Sequence, residues 1–299
     1  VIPYYQRFLE RFPDVAALAA APVDDVMASW AGLGYYARAR NLHRCAQTIV
    51  AEHGGKFPDS EAALATLPGI GRSTAAAIAV FAFGRRAAIL DGNVKRVLCR
   101  VFGVEGFPGK PAVEHKLWGL AESLLPAQAL DSYIQGQMDL GATLCTRSKP
   151  RCGECPMRGL CIAEHEGRQA ELPEGKPARA LPERESTVTV FTDGKHVLLE
   201  RRPPTGIWGG LLALPEGCPD ELAARHGLVA ESAAPLPALR HTFTHFRLTL
   251  QPTLCRVTKL PQAAEAGVEW VPLTAIDNAA LPTPIRKILT SPALAAPDT

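Results

Sequence analysis

Four closely spaced cysteines constrain the fold of this chain more than any other feature. Cys145, Cys152, Cys155 and Cys161 follow the spacing C-x6-C-x2-C-x5-C. The segment that holds them has no apolar periodicity with which to bury a core, so a bound metal centre would supply its folding energy. Zinc sites usually pair two short knuckles, and here only Cys152 and Cys155 form one.

All-thiolate ligation with unequal gaps favours a [4Fe-4S] cluster over a zinc ion. A disulfide pair is the other alternative. The remaining four cysteines are scattered singly, as in proteins of a reducing compartment, and this argues against disulfides. The sequence therefore predicts an iron-sulfur loop over residues 145–161.

The composition fits two globular domains and a polyanionic partner. The chain has 299 residues, 47% of them hydrophobic, and a net charge of only +2. No apolar run has the length of a membrane span, and no signal peptide is visible. Basic residues nevertheless concentrate in three segments, 38–56, 85–100 and 145–161. One such segment is usually an ordinary solvated face, but three in one half of the chain favour a polyanion.

The pattern along the chain predicts an all-helical domain followed by a mixed α and β domain. Residues 1–165 contain successive amphipathic stretches bounded by Gly, Pro, Asp or Ser, which are typical helix boundaries. Residues 166–185 are rich in proline and charge, and we interpret them as a linker. Residues 186–299 alternate apolar and polar positions, with Asp193-Gly194 marking a β-hairpin.

The segment Leu67-Pro68-Gly69-Ile70-Gly71 lies between two predicted helices. Two nearby glycines allow a sharp turn that presents backbone N–H groups, and the next helix adds the positive end of its dipole. We expect Ser73 or Thr74 to cap that helix. Such a hairpin suits a backbone phosphate, although a plain helix–helix turn would read the same way.

Asp91 follows the hairpin by about twenty residues, in the string ILDGNVKR. An Asp-Gly pair usually marks a turn or a helix cap. Here the aspartate stands among five basic residues: Arg85, Arg86, Lys95, Arg96 and Arg100. Those cations keep it ionised and let it approach phosphates, so Asp91 is a candidate catalytic carboxylate.

Together these features resemble the endonuclease III superfamily of DNA base-excision glycosylases, and within it the MutY family of adenine DNA glycosylases. The hairpin, the aspartate and the cysteine spacing carry the first resemblance. The strings GLGYYARARNLH, LDGNVKRV, GIWGGLLALPE and RHTFTHF carry the second, across nearly the whole chain. The family removes adenine mispaired with 8-oxoguanine in duplex DNA, after the base has left the stack.

The resemblance implies catalytic roles for three residues. Asp91 would stabilise the positive charge that develops on the sugar as the N-glycosidic bond breaks. Asn93 would help to position the sugar and Asp91. Ser73 stands where endonuclease III-like enzymes have the lysine that attacks C1′ and cuts the strand, so the resemblance implies a monofunctional glycosylase.

The family's second acid, which protonates adenine, lies on a helix before the position at which this sequence begins. Val1 is not an initiator methionine, and the opening VIPYYQRFLERF reads as a helix without an N-cap. We therefore expect N-terminal residues to be missing, and the chain as given to be inactive or nearly so.

The resemblance also implies a DNA-binding surface in the first domain. Tyr35 would wedge into the base stack beside the flipped nucleotide, while Tyr36 packs in the core. The cluster would hold a basic loop against phosphates rather than act as a redox catalyst. The residues expected to bind DNA are Tyr35, Leu67, Gly69, Gly71, Lys95, Arg147, Lys149 and Arg151.

The second domain resembles a Nudix fold without the glutamates that bind Mg²⁺ in Nudix hydrolases, so nucleotide hydrolysis is not expected. In the family this domain recognises 8-oxoguanine through a Phe-Ser-His loop, which here reads Phe243-Thr244-His245. Thr244 keeps the hydroxyl that would hydrogen-bond the lesion. Trp208 matches a family tryptophan, and we expect it to lie in the core.

Three alternatives stay open at this point: a bifunctional endonuclease III-like glycosylase and lyase, a non-catalytic fragment that binds lesions, and a zinc-bound regulator. The expected partner is double-stranded DNA with adenine opposite 8-oxoguanine or G. The expected protein is a monomeric bacterial enzyme that is cytoplasmic and nucleoid-associated.

Overall fold

The computed structural model describes residues 2–177, 180–203, 206–257, 267–277 and 279–295. The chain divides into two compact units, one formed by residues 48–179 and the other by residues 1–47 together with 180–299. Two residues of the predicted linker, Ala178 and Arg179, lie outside the described residues. The predicted domain boundaries at 165 and 186 stay a prediction.

The N-terminal part of the chain is helical, as the sequence predicts. It contains α1 (Ile2–Arg11), α2 (Val15–Ala20), α3 (Val23–Trp30) and α4 (Ala37–His53). The side chain of Asp14 caps α2 by accepting a hydrogen bond from the Ala17 N–H at 2.7 Å. The division between the two units falls within α4.

The unit formed by residues 48–179 consists of helices around one apolar core. They are α5 (Glu61–Leu64), α6 (Arg72–Phe83), α7 (Gly92–Val101), α8 (Pro111–Ser123), α9 (Leu130–Asp139) and α10 (Ile162–His165). A π-helical turn over Leu140–Leu144 follows α9, and a 3-10 turn covers Cys152–Glu154. Buried side chains of α6 to α9, among them Val80, Leu98, Leu117 and Ile134, form the core.

The other unit is built on a mixed sheet. Its strands are β1 (Glu183–Thr192), β2 (His196–Arg201), β3 (Leu212–Ala213), β4 (Ala230–Pro235), β5 (Leu239–Thr242), β6 (Arg247–Val257) and β7 (Val268–Pro272). Within the described residues these strands form one sheet in the order β3-β2-β1-β6-β4, with β5 on β6 and β7 on β2. Only the β1–β6 pairing is parallel among the pairs found.

The predicted hairpin is confirmed. Asp193 forms the turn between β1 and β2, and its Oδ1 accepts hydrogen bonds from the backbone N–H groups of Lys195 at 2.8 Å and His196 at 2.6 Å. This side chain mimics a backbone turn and fixes the register of the two strands.

Both faces of the sheet are covered, and N-terminal helices cover part of one face. The helices after the linker are α11 (Pro219–Arg225), α12 (Thr283–Leu289) and α13 (Pro292–Ala295). On one face Phe191 and Leu198 pack with Leu222 of α11. On the other, Leu199 lies in a core that also holds Met27 of α3 and residues of α12. Residues 1–47 therefore pack within the same compact unit as the sheet.

Among the described residues, no helix is long and apolar enough to cross a membrane.

Candidate functional site

The glycine hairpin between α5 and α6 forms as predicted. The Ile70 N–H donates to the Leu67 carbonyl at 3.1 Å, and Gly69 adopts a φ of +77°, a conformation that favours glycine. Leu67 is 3% exposed, so its side chain anchors the hairpin in the core rather than reaching a ligand. Gly69 and Gly71 are exposed on the surface.

The predicted cap of α6 is wrong. The N-cap residue is Gly71, which has no side chain to accept a hydrogen bond, and Ser73 lies inside the helix. The Ser73 Oγ instead accepts a hydrogen bond from the Leu90 N–H at 3.0 Å. Leu90 is 4% exposed, so this hydroxyl satisfies a buried donor that would otherwise lack a partner. Ser73 thus fastens the residue that precedes Asp91.

Asp91 is the N-cap of α7. Its Oδ1 accepts a hydrogen bond from the Val94 N–H at 2.8 Å, which fixes the carboxylate at the helix start. Within the part of the chain that the structure describes, Oδ2 has no hydrogen-bond partner. The side chain is half-buried. Asp91 therefore both caps a helix and offers one carboxylate oxygen to a ligand.

Asn93 connects the start of α7 to the cysteine loop through Arg96. The Arg96 Nη2 donates to the Asn93 Oδ1 at 2.8 Å and to the Gly141 carbonyl at 2.6 Å. The Arg96 Nε donates to the Cys145 carbonyl at 2.7 Å. A Cβ at Gly141 would lie 2.6 Å from the Asn93 Cβ, so the π-helical turn packs against α7 as closely as glycine allows.

Arg100, on the same helix, is buried within the loop. Its guanidinium donates to the carbonyls of Thr146 at 2.7 Å, Arg147 at 3.1 Å and Leu172 at 2.8 Å. Its Nη1 also lies 3.4 Å from the Cys145 Sγ. Arg100 is 2% exposed, and a buried guanidinium is tolerated only when its donors are satisfied in this way.

The four cysteines of the loop line one pocket and are all free thiols. The disulfide alternative is therefore not supported. Among the described residues, no three His, Cys, Asp or Glu side chains converge on a point that could hold a single metal ion. Burial raises the pKa of the Cys161 thiol, backbone hydrogen bonds from Glu164 and Ala163 oppose this rise, and the neighbouring Cys145 and Cys152 add to it. Four partly buried cysteines that line one pocket fit the all-thiolate ligation of an iron-sulfur cluster.

The predicted basic DNA contacts divide into two groups. Arg147 and Lys149 are exposed, and neither has a carboxylate partner among the described residues. Arg151 pairs with Glu154 at 3.1 Å, and Lys95 pairs with Glu114 at 2.6 Å. Arg147 and Lys149 can therefore bind an anion directly, whereas Arg151 and Lys95 would first have to break an ion pair.

In the unit that contains the sheet, a glycine-rich loop presents Tyr35. This tyrosine adopts a φ of +50°, which is rare for a side chain of its size, and it is 72% exposed. The Arg38 guanidinium lies 5.5 Å from its ring and 5.4 Å from the Trp30 ring. Tyr36 packs against the core of the unit, as predicted.

Phe243, Thr244 and His245 form the turn between β5 and β6. The Phe243 ring stacks on Phe246 with centroids 4.5 Å apart, while Thr244 and His245 are exposed. The Thr244 Oγ1 lies 3.3 Å from the His245 Nδ1. The buried Trp208, 8% exposed, packs against Phe243, which confirms the prediction that it lies in the core.

A groove of about 850 Å³ runs between the Tyr35 loop and the turn at 243–245, both of which belong to the same compact unit. The Arg40 Nη1 donates to the Gly209 carbonyl at 2.6 Å and ties α4 to the wall of this groove. The structure thus brings the predicted stacking wedge and the predicted lesion-reading turn to one site, although about two hundred residues separate them in sequence.

Three regions of the chain match known families. Residues 1–123 match the HhH-GPD superfamily of base excision DNA repair proteins, residues 145–161 match the iron-sulfur binding domain of endonuclease III, and residues 187–291 match the NUDIX domain. An adenine DNA glycosylase of Buchnera aphidicola (subsp. Acyrthosiphon pisum) is 35% identical over 96% of this chain and 84% of its own length. The chain belongs to the adenine DNA glycosylase family.

A human adenine DNA glycosylase is 33% identical over 96% of this chain and 64% of its own length. Among solved structures, a thermostable thymine-DNA glycosylase is 30% identical, covers 55% of this chain and 76% of its own, and has a TM-score of 0.49. The curated relatives and the match to the base excision repair superfamily show that the protein is a DNA glycosylase of base excision repair, a hydrolase of N-glycosyl bonds that acts on DNA. It has a helix-hairpin-helix glycosylase part and a Nudix-like part.

Family membership and the matched iron-sulfur domain show that the protein carries a [4Fe-4S] cluster, and the four cysteines of the matched segment are the residues that would hold it. Sequence reasoning did not single out Arg96 and Arg100 as the residues that fasten this loop. Arg96 and Arg100 are four residues apart, and they follow Asn93 by three and seven residues. This helical periodicity puts all three on one side of α7, and it was the sequence signal that could have identified the two arginines.

Proposed function

We propose that this enzyme hydrolyses the N-glycosidic bond of adenine paired with 8-oxoguanine or G in duplex DNA and leaves an abasic site. The observation that carries the proposal is the groove that joins exposed Tyr35 to the turn Phe243-Thr244-His245. A wedge and a hydroxyl-bearing turn on one groove suit an enzyme that opens the stack and inspects the base left behind.

Asp91 is the proposed catalytic carboxylate. As adenine leaves with the electron pair of the C1′–N9 bond, positive charge develops on the sugar, and the free Oδ2 would stabilise it. The oxygen of a water molecule then bonds to C1′ and the water releases one proton, while the departing adenine, which kept the electron pair, takes up one proton. Three residues position Asp91 for this step without contacting the sugar. The Ser73 hydroxyl holds Leu90, which precedes Asp91, and the hydrogen bond between Arg96 and Asn93 holds the segment that follows it.

Ser73 also supports the monofunctional assignment. Its hydroxyl is engaged with the Leu90 N–H and offers no amine for a Schiff base with the sugar. Hydrolysis transfers no electrons, so the cluster serves to hold its loop rather than to take part in bond cleavage. The strand should therefore break only when alkali is added.

Recognition of 8-oxoguanine is assigned to the turn at 243–245. Thr244 is exposed and carries a hydroxyl that can both donate and accept a hydrogen bond. Its Oγ1 contacts the His245 ring, which limits the directions that the hydroxyl can take. Phe243 is fixed from beneath by Phe246, so the turn presents its polar edge from a rigid base.

We assign the contacts with the DNA backbone to the N–H groups around Gly69 and Gly71 and to Arg147 and Lys149, which have no carboxylate partner in the described part of the chain. Lys95 and Arg151 would contribute after exchanging their present carboxylate partners for phosphate. We assign the enzyme to the bacterial cytoplasm and nucleoid, acting as a monomer.

Single-turnover assays on the full-length, cluster-loaded protein test the proposal. Duplexes with A opposite 8-oxoguanine, A opposite G, and thymine glycol opposite A would be compared. Release of adenine should be fastest opposite 8-oxoguanine, and Thr244→Val should reduce that preference while Thr244→Ser retains it. Equal wild-type rates opposite 8-oxoguanine and G would refute the lesion-reading role, and strand breaks without alkali would refute the monofunctional assignment.

A further inference from the structure

Arg184 is a groove residue that neither the family matches nor the sequence motifs assign. It is the second residue of β1 and is exposed on the surface. It lines the same groove as Tyr35 and the turn at 243–245. Its Cζ lies 4.7 Å from the centroid of the Phe246 ring. This distance is that of a cation–π contact, which holds a guanidinium in place without using its N–H donors.

The ring beneath Arg184 belongs to the proposed lesion-reading turn. Phe246 is 1% exposed, and its ring stacks on Phe243 at 4.5 Å with an interplanar angle of 21°. The His245 ring meets Phe246 edge-on, with centroids 4.8 Å apart. Arg184, Phe246 and Phe243 therefore form a connected aromatic and cationic set. Because Phe246 is fixed in the core, the contact with its ring favours positions of the Arg184 guanidinium beside the turn.

The charge of Arg184 is uncompensated in the structure. Its neighbour Glu183 pairs with Arg247 at 3.2 Å, and Glu185 accepts a hydrogen bond from Gln251 at 2.9 Å. No carboxylate lies within ion-pair distance of Arg184 among the residues that the structure describes. A stacked guanidinium with free donors at the edge of a groove suits bidentate binding of an anion.

We propose that Arg184 binds a backbone phosphate of the strand that carries 8-oxoguanine, close to the lesion. The inference rests on the proposed function, since that function places this strand in the groove. A phosphate is the anion that every nucleotide of the strand supplies, and Arg is the residue best matched to it. Arg184 thus sets the register of the strand against the turn, while Thr244 reads the base.

Neutral methylphosphonate linkages test this contact one phosphate at a time. A duplex with 8-oxoguanine opposite a stable abasic analogue would carry one such linkage at each position near the lesion, in either strand. For the wild type, one linkage in the 8-oxoguanine strand should weaken binding by about 10- to 100-fold, the usual effect of losing a charged hydrogen bond.

Arg184→Met should weaken binding to the unmodified duplex by a similar factor, and the sensitive linkage should then have no further effect. The slope of log Kd against log salt concentration should fall by about one. Arg184→Lys keeps the charge but loses the fork, so it should keep part of the linkage sensitivity. Arg247→Met removes the same charge from the neighbouring strand, outside the groove, and should keep the wild-type linkage profile.

Several results would overturn the inference. One is an unchanged linkage profile in both Arg184→Met and Arg184→Lys. Another is a result in which Arg184→Met removes the effect of a methylphosphonate linkage in the adenine strand instead of the 8-oxoguanine strand. A third is loss of preference for 8-oxoguanine over G with an unchanged salt slope, which would indicate a contact with the base. Failure of the wild type to distinguish 8-oxoguanine from G would instead refute the proposed function, whatever the linkage profile.

Discussion

Replacing Asp91 with asparagine separates the two roles that the structure gives this residue. The carboxylate caps α7 through Oδ1 and presents Oδ2 without a partner among the described residues. Asparagine caps a helix about as well as aspartate does, so Asp91→Asn should change the free energy of unfolding by only a few tenths of a kcal/mol. Asp91→Ala also removes the cap and should cost about 1 kcal/mol.

The catalytic effect follows from the charge. Asp91 is half-buried, so an effective dielectric constant of about 20 is appropriate. A carboxylate about 4 Å from a fully developed positive charge then contributes ~4 kcal/mol. At 1.36 kcal/mol for each factor of ten, its loss slows the reaction by about a thousandfold. The sugar charge is only partial in the transition state, so this figure is an upper estimate for the electrostatic effect.

Single-turnover release of adenine from a duplex with A opposite 8-oxoguanine measures the rate, and thermal unfolding measures the stability. Asp91→Asn should lose most of the rate and keep the melting temperature, whereas Asp91→Ala should lose both. An Asp91→Asn rate within tenfold of the wild type would refute the electrostatic role. A fall in melting temperature as large as that of Asp91→Ala would refute the capping argument.

Three further variants test the surroundings of this site and of the groove. Ser73→Ala leaves the buried Leu90 N–H without a partner and should destabilise the protein by about 1–3 kcal/mol in urea unfolding; a change below 0.5 kcal/mol would contradict this. Gly141→Ala places a Cβ 2.6 Å from the Asn93 Cβ, so the free energy of unfolding and the rate of adenine release should both fall. A wild-type rate of adenine release would contradict the tight packing. Burial lowers the pKa of His241, so the neutral form stabilises the fold above the ordinary pKa of imidazole, and that stability is lost as the pH falls through the lowered value. Urea midpoints from pH 8 to 5 should show this loss, and His241→Gln should flatten the profile.

Local patterns predicted the features whose residues are close in sequence. The cysteine spacing indicated the cluster, the two glycines indicated the hairpin, and Asp193-Gly194 indicated the turn between β1 and β2. Each depends on a few adjacent residues, so their chemistry is visible without the fold.

Long-range partners decided the features that the sequence did not reveal. Ser73 has a side chain suited to capping, but the buried N–H of Leu90, seventeen residues away, takes its hydroxyl. Strand β4 reads AESAAP, which has little strand propensity, and it forms because β6 supplies its hydrogen-bond partners. The packing of Met27 with the sheet likewise joins residues far apart in the chain.

Helix α7 connects the cysteine loop to Asp91, the carboxylate that we propose as catalytic. Asp91 caps this helix, Arg96 and Arg100 follow on it, and their guanidinium groups hold the carbonyls of Cys145 and its neighbours. At a rise of about 1.5 Å for each residue, Arg100 lies roughly 14 Å along the helix from Asp91. If the loop unfolds, Arg100 loses both the carbonyl groups that accept its hydrogen bonds and the loop residues that bury it, so α7 loses the packing that this side chain provides. Removal of the cluster should therefore affect Asp91 only indirectly, by weakening the contacts between the loop and α7.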